Sequence, residues 1–407
     1  MNGHAVPVEP VEPDLQALAQ DARGAGRIAL DTEFMGEGRY RTQLCLIQLA
    51  VPVAAGGKRV EVLDPLAGEL DGAPLAGVLA DAAIQLVVHA GRQDIALLRR
   101  RFATDVRNVF DTQIAGAFVG LGAQSSYDSL LTDALGVRVS KSASFTRWDA
   151  RPLSPEQLGY ARDDVEHLLE LAAELERRLV ELGRLEWARE ECEQLEQSSD
   201  ERDLDAIFAR LPRVRSLNAS ARPVARELVR WREQTAERTD RPVQSVLGDA
   251  ALMEIARRKP SSQGELARVR GAGGATGRRG QELLAVVQRA RELAPEDQPQ
   301  VQRQPPPQPG DAALVALGEA LLRARAAEAG LAYELLASRA DLQTIVATRR
   351  SGAEADVRTL RGWRRELAGA ELLELLDGQL SLSVHELRLR GEIDQLRQQG
   401  VARGEDA

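Results

Sequence analysis

Between Ile28 and Phe34 the chain reads Ile-Ala-Leu-Asp-Thr-Glu-Phe, an apolar run of strand character ending in two carboxylates one residue apart. Side chains alternate faces along a strand, so Asp31 and Glu33 project to one side and Thr32 and Phe34 to the other. Two carboxylates a few ångströms apart repel by about 4 kcal/mol at an effective dielectric near 20. Inside a pocket such a pair needs a cation or a shared proton; at a strand end it is more often a solvated rim. The pair alone leaves that open, yet it constrains the fold, which must either expose both acids or bring compensation to them.

The surrounding sequence builds a sheet around this strand. Residues 14–24 read as a helix and 27–34 as the first strand; Thr42–Val51 alternates and is rich in β-formers. Lys58–Leu63 adds a third strand, giving an antiparallel meander joined by Gly-containing turns. Ile84–His89 is a continuous apolar run of the kind buried in a parallel sheet. Helices are expected at 73–82 and at Gly91–Phe102, then a brief strand at Val109-Phe110 running into a helix near Asp111. Further helices follow at 127–135 and 154–183, the second extended by a charged amphipathic stretch to about 197. Three strands followed by alternating helix and strand predict an α/β domain over 14–200, with a mixed sheet and helices on its faces.

Beyond it the periodicity is helical. Residues 201–293 predict an all-α domain broken at Pro212, Pro223, Pro242, Pro260 and the Gly-rich 271–280. Residues 294–310 are a Pro/Gln-rich linker, extended and exposed. In the last segment, 311–407, helices are expected over 311–383 with stops near Gly330, Gly352 and Gly378, and the polar end from Arg388 is expected to fray. The Pro- and Glu-rich residues 1–13 predict a disordered start with neither the basic region nor the apolar core of a signal peptide. No run approaches the 18 uncharged apolar residues of a membrane helix. Two cysteines, Cys45 and Cys192, make no disulfide framework, and a reducing, cytoplasmic setting is expected.

The net charge of −9 argues against a polyanionic partner until it is divided along the chain. Residues 201–293 hold 19 basic against 12 acidic side chains, a balance of +7, whereas 311–407 carry −3, 294–310 carry −1 and the first 200 residues −12. An acidic front domain is joined to a basic middle one, a charge that fits phosphate contact or is simply a solvated Arg-rich helical surface.

Two more acidic positions fall where the sheet returns them to Asp31. Asp94 sits in the first turn of the helix after the inner strand, and ligands gather at the carboxyl ends of strands in such sheets; an acid there also complements the helix dipole. Tyr160 and Asp164, in Gly159-Tyr-Ala-Arg-Asp-Asp-Val165, are four apart and share a helix face, with Asp163 directed elsewhere. Asp31/Glu33, Asp94 and Tyr160-x-x-x-Asp164, in this order, resemble the three exonuclease motifs of the DEDD superfamily, Tyr variant. His89-Ala-Gly-Arg-Gln-Asp94, Phe110-Asp-Thr-Gln113 and the run Lys141-Ser142 … Thr146-Arg147-Trp148 … Arg151-Pro152-Leu153 narrow the resemblance, over residues 15–195, to the ribonuclease D family. Leu228-Val-Arg-Trp-Arg-Glu233, Asp240-Arg-Pro-Val243 and Ala251-Leu-Met-Glu-Ile-Ala256 look like the helical HRDC domain. By position and helix pattern, 311–383 looks like a second, diverged HRDC-like module.

The resemblance implies an RNase H-like α/β domain followed by two all-α HRDC-like domains. It implies that Asp31, Glu33, Asp94 and Asp164 hold two divalent metal ions, Mg²⁺ or Mn²⁺, and that Tyr160 positions the attacking water. Such ions prefer oxygen ligands, and two of them about 3.5–4 Å apart can hold the attacking and leaving oxygens of an in-line displacement. With an ordinary pKa of about 10, Tyr160 suits orienting water better than acting as a strong base. The implied activity is 3′→5′ exoribonuclease trimming of RNA 3′ ends, tRNA precursors being the expected substrate, by a monomer with no membrane partner. Related catalytic domains act on DNA, so a DNA exonuclease is the alternative; a nucleic-acid-binding scaffold is the alternative of another class. Arg147 and Arg151, with Lys141, either meet substrate phosphates near the acids or form ordinary ion pairs, and Arg257, Arg258, Lys259, Arg278 and Arg279 are the candidates in the basic middle. His89, Trp148 and Cys45 are expected in the core.

Overall fold

The computed structural model describes residues 14–68, 70–139, 147–272, 277–293, 308–385 and 388–393. The start at 1–13, Lys141, Ser142 and Thr146, the linker up to 307 and the tail beyond 393 lie outside the described residues.

Strands β1 (Arg27–Met35), β2 (Gln43–Pro52) and β3 (Lys58–Leu63) form the antiparallel half of a five-stranded sheet, and β4 (Gln85–Val88) and β5 (Val109–Asp111) run parallel to β1 on its other side. The order is β3-β2-β1-β4-β5. The period of two sorts each strand into two faces. Ile28, Leu30, Ile47, Leu49, Leu86 and Val88 pack under helices Leu15–Ala25, Ala73–Leu79 and Arg92–Phe102. Ala29, Ala50, Val87 and Phe110 face the opposite layer, against helices Thr112–Phe118 and Leu168–Glu181. Each large aliphatic side chain buried here contributes about 1.5–3 kcal/mol, which fixes the register, since a slip by one residue would turn every one of them outward.

The helical run expected from 154 to about 197 is three helices, Pro155–Glu166, Leu168–Glu181 and Leu185–Glu196. The first begins with a capping box, Ser154 and Gln157 bonding each other's backbone N–H, and with proline in its first turn. Gly183, at φ +66°, ends the second in the left-handed conformation that glycine adopts freely.

The middle helices, from Leu204–Ala209 to Gly277–Arg291, enclose their own apolar core, including Phe208, Leu228, Leu252, Ile255 and Val286. The last helices do not. Leu321, Leu336, Ile345, Trp363 and Leu372 belong to the same apolar cluster as Phe118, Leu175 and Leu179 of the α/β domain. After helix Ala370–Leu376 the chain forms a hairpin, β6 (Leu380–His385) with β7 (Arg388–Ile393), where a frayed end was expected from Arg388. The alternation Leu380-Ser-Leu-Ser-Val384 is a strand signal, and Leu380 and Leu382 turn toward the core while Val384 is exposed.

Candidate active site

Asp31 and Glu33 leave β1 on the same face, as the strand period requires, and Asp164 reaches them from helix Pro155–Glu166; one carboxylate oxygen from each lies within 4.8 Å of the other two. A bulge between Glu33 and Phe34 interrupts the pairing with β2 at this point, and bulges re-aim the side chains beside them. The helix is seated on the sheet by Ala161 and Tyr160, which pack with Leu46, the cross-strand partner of Glu33.

Asp94 comes from the opposite layer. Thr32 points away from Asp31 and Glu33, and its hydroxyl donates to Asp94 Oδ1. Asp94 is therefore outside the three-way cluster, although its charge acts on both Asp31 and Glu33. The turn before its helix is held from β5: Asp111 accepts from the backbone N–H of Ala90 (3.1 Å) and Gly91 (2.9 Å), and from Gln113 N–H (2.8 Å) at the start of the next helix. Ala90 is left-handed at φ +53°, and a Cβ on Gly91 would lie 2.5 Å from Val88 Cγ2. Thr112 Oγ1 donates to the Val88 carbonyl (3.1 Å) and meets His89 Nδ1 at 3.0 Å. Burial lowers the His89 pKa, against the pull of Asp111 and Asp128. His89 is thus a bonded, largely enclosed side chain.

The cluster is electrostatically strained. Burial, then the charges of Asp94, Asp164 and Glu33, hold the Asp31 pKa well above the carboxylate range. Burial, then Asp164 and Asp94, push Glu33 up to about 8. Asp164 is raised to about 7 by burial and by Asp163 and Asp128, and Asp94 to about 6 by burial, with the Thr32 hydrogen bond opposing. Among the described residues no Lys or Arg forms an ion pair with any of the four. Gln48 stands opposite Asp31 in β2 and is fully buried, yet neither atom of its amide has a hydrogen-bond partner. Directly paired residues share a sheet face, and a buried amide left unpaired costs about 1–3 kcal/mol. An all-oxygen donor set without a basic neighbour, beside an orphaned amide, fits hard divalent cations and their water.

Tyr160 lies one helical turn before Asp164. Burial, then Asp164, Glu33 and Asp31, raise its hydroxyl pKa above the ordinary tyrosine value. Its ring sits 6.0 Å from that of Trp148, which is 5% exposed and packs with the fully buried Cys45. Tyr127, which carries no motif signal, also borders the cluster: its hydroxyl accepts from His167 N–H (3.3 Å), and Asp164 and Asp31 contribute to its raised pKa behind burial. Thr32, Gln48 and Asp111 are the other contributors that spacing arguments pass over. The middle residue of Asp-Thr-Glu and a polar side chain inside the apolar run of β2 are the signals that point to the first two.

The basic candidates separate. Arg151 makes a bidentate pair with Asp64 (both 2.6 Å) and donates to the carbonyls of Cys45 (3.1 Å) and Trp148 (2.7 Å), so it ties the loop to the sheet and is not free for a phosphate. Arg147 is exposed and pairs with Asp149 (2.8 Å). Arg258 pairs with Glu254 (2.6 Å), Lys259 donates to Ser220 (2.7 Å) and Arg257 to Ser216 (3.3 Å). Arg278 and Arg279 stand elsewhere, in a surface cleft with Trp231, Arg238 and Arg241.

Known proteins resemble this chain over most of its length. The 3′-5′ exonuclease family matches residues 11–180 and the HRDC domain family residues 221–287. Ribonuclease D of Granulibacter bethesdensis is 39% identical over 91% of this chain and 92% of its own, and that of Gluconacetobacter diazotrophicus 37% identical over 93% and 94%. The crystal structure of Escherichia coli RNase D, described as an exoribonuclease involved in structured RNA processing, superposes with a TM-score of 0.80 at 29% identity, covering 90% of this chain and 98% of its own. With this identity over nearly its whole length, the chain belongs to the ribonuclease D family.

Proposed function

We propose that the protein is a divalent-metal-dependent 3′→5′ exoribonuclease that trims RNA 3′ ends, tRNA precursors among them, releasing nucleoside 5′-monophosphates one at a time. The observation that carries this reading is the cluster of Asp31, Glu33 and Asp164, oxygens within 4.8 Å and no basic partner among the described residues, with Tyr160 beside it. Two ions, Mg²⁺ or Mn²⁺, held by these acids and Asp94 would supply an activated water and neutralise charge on the scissile phosphate. Thr32 holds one oxygen of Asp94, which would leave the other oxygen of that carboxylate for an ion. Tyr160 keeps its proton at neutral pH because its pKa is raised, so it orients water by hydrogen bonding and does not take a proton from it. Trp148 fixes the ring that carries this hydroxyl. The basic middle domain supplies sequence-independent attraction for the RNA backbone.

Two 3′-labelled oligonucleotides of one sequence, RNA and DNA, incubated with Mg²⁺, Mn²⁺ or EDTA test the reading. Single labelled mononucleotides are expected from RNA in either metal and none in EDTA, with Asp164→Asn inactive but folded. Equal or faster cleavage of the DNA would replace the exoribonuclease by a DNA exonuclease. Binding of RNA without turnover in any metal would leave a scaffold.

A further inference from the structure

Apart from the acid cluster, a cleft of about 470 Å³ opens at the end of helix Arg222–Thr239. Trp231 and Arg238 line it from that helix, seven residues apart and so on one face. Arg241 follows just beyond the helix end, and Arg278, Arg279 and Glu282 close it from the start of helix Gly277–Arg291. Four guanidinium groups thus share one cleft with one carboxylate, and Glu282 is taken up by Arg278 at 3.2 Å. Arg238, Arg241 and Arg279 have no side-chain partner among the described residues.

Other arginines of this domain are neutralised by acids. Arg202 pairs with Glu233, Arg226 with Asp205, Arg230 with Glu227 and Arg232 with Asp249. With 19 basic against 12 acidic residues over 201–293, the domain has more cations than acids to pair them, and the cleft is where several of the unmatched ones gather. Trp231 is half-buried against the helical core, and no arginine or aromatic ring of the described residues lies over it, whereas arginines stack on Tyr40, Trp187, Tyr333 and Trp363 elsewhere. An open indole edged by unpaired guanidiniums offers a π-face for a base and forks for phosphate oxygens, a combination that binds single strands irrespective of sequence.

The placement selects the occupant. The same end of helix Arg222–Thr239 is held against the segment leaving β1: Arg39 pairs with Asp240 (3.0 Å), Tyr40 N–H donates to Asp240 (3.1 Å) and Arg41 pairs with Glu237 (2.6 Å). The cleft is therefore carried at the docking edge, next to the strand that bears Asp31 and Glu33. We propose that it grips one nucleotide of a single-stranded RNA segment upstream of the 3′ end, with the base on Trp231 and the flanking phosphates on Arg238, Arg241 and Arg279. This rests on the exoribonuclease reading.

The test is fluorescence anisotropy of 5′-labelled oligoadenylate with the full-length protein in EDTA, across a salt series. Arg238→Ala/Arg279→Ala is expected to weaken binding about tenfold and to flatten the slope of log K against log salt by about 1.4, about 0.7 for each phosphate of a single strand that is no longer neutralised. Trp231→Leu is expected to weaken binding with the slope unchanged, because stacking carries no net charge. Wild-type affinity and slope in the double arginine variant, with thermal unfolding as in the wild type, would overturn the proposal. These arginines are on the surface, so the double variant keeps the test sound should Trp231→Leu unfold. Turnover is absent in EDTA, so failure here is distinct from a failure of the wild type to release mononucleotides with Mg²⁺, which would overturn the exonuclease reading instead.

Discussion

Asp31, Glu33, Asp94 and Asp164 are acids that the fold makes reluctant to ionise, and that has a measurable sign. Their folded pKa values lie above the ordinary carboxylate range, about 8 for Glu33, about 7 for Asp164 and about 6 for Asp94, with Asp31 also raised. An unfolded chain loses these protons near pH 4, so between about pH 4 and 8 the folded protein binds more protons than the unfolded one. Metal-free stability must then fall as pH rises through that window, and a divalent cation must restore it. Differential scanning fluorimetry should show saturating Mg²⁺ raising the Tm by about 5 °C or more at pH 8.5, and by less than half as much at pH 5.5. Equal shifts at both pH values would mean that the cation binds away from these acids. Tyr160 gives a second test at this scale. Tyr160→Phe removes one positioned hydroxyl and leaves the ring on Trp148, so kcat on labelled RNA should fall about 10²-fold with little change in KM; an unchanged kcat would remove Tyr160 from the chemistry.

At the scale of elements, the site depends on how the β4 end is joined to helix Arg92–Phe102. Gly91 has no room for a methyl group, because Val88 Cγ2 and Cβ would lie 2.5 Å and 2.7 Å from it. A β-branched side chain packed in the sheet cannot swing aside. Gly91→Ala should cost about 1–3 kcal/mol in urea unfolding and also lower kcat, because the turn it displaces aims Asp94. A variant as stable and as active as the wild type would mean that the helix start yields freely. This joint also shows where the sequence stops being readable. The shared direction of Asp31 and Glu33 follows from a period of two and that of Tyr160 and Asp164 from a spacing of four, both local. Asp94 approaching through Thr32 from the other side of the sheet follows from neither, because it depends on which layer its helix joins. The same limit applies to Arg151, whose charge reads equally as a phosphate ligand or as half of an ion pair until the fold places Asp64 against it. The β6–β7 hairpin was legible in the Leu-Ser-Leu-Ser alternation, but a short alternating run after long helical periodicity is easily read as a helix end.

For the whole molecule, the two helical parts are attached by different physics. The middle helices have their own core and meet the α/β domain through exposed charge pairs, Arg39–Asp240 and Arg41–Glu237, interactions worth little each and weakened by salt. The last helices share their core with the α/β domain. Trp363, 1% exposed, stacks on Trp187 at 5.3 Å and meets the edge of Phe118 at 4.9 Å, and its indole N–H donates to Glu191 (3.1 Å), which Arg364 also grips (2.7 Å). A chain so built should unfold in two steps, the middle helices in one and the α/β domain with the last helices in the other. Trp363→Ala opens a cavity beside the rings of Trp187 and Phe118 and should cost about 3–5 kcal/mol. Calorimetry is expected to show that loss in the larger transition alone, while raising salt moves only the smaller one. A Trp363→Ala protein whose larger transition keeps its midpoint would show that the last helices are only leaning on the catalytic domain; the expected loss would make them part of its core, and through Phe118 and helix Thr112–Phe118 part of what holds Asp111 and the Asp94 turn in place.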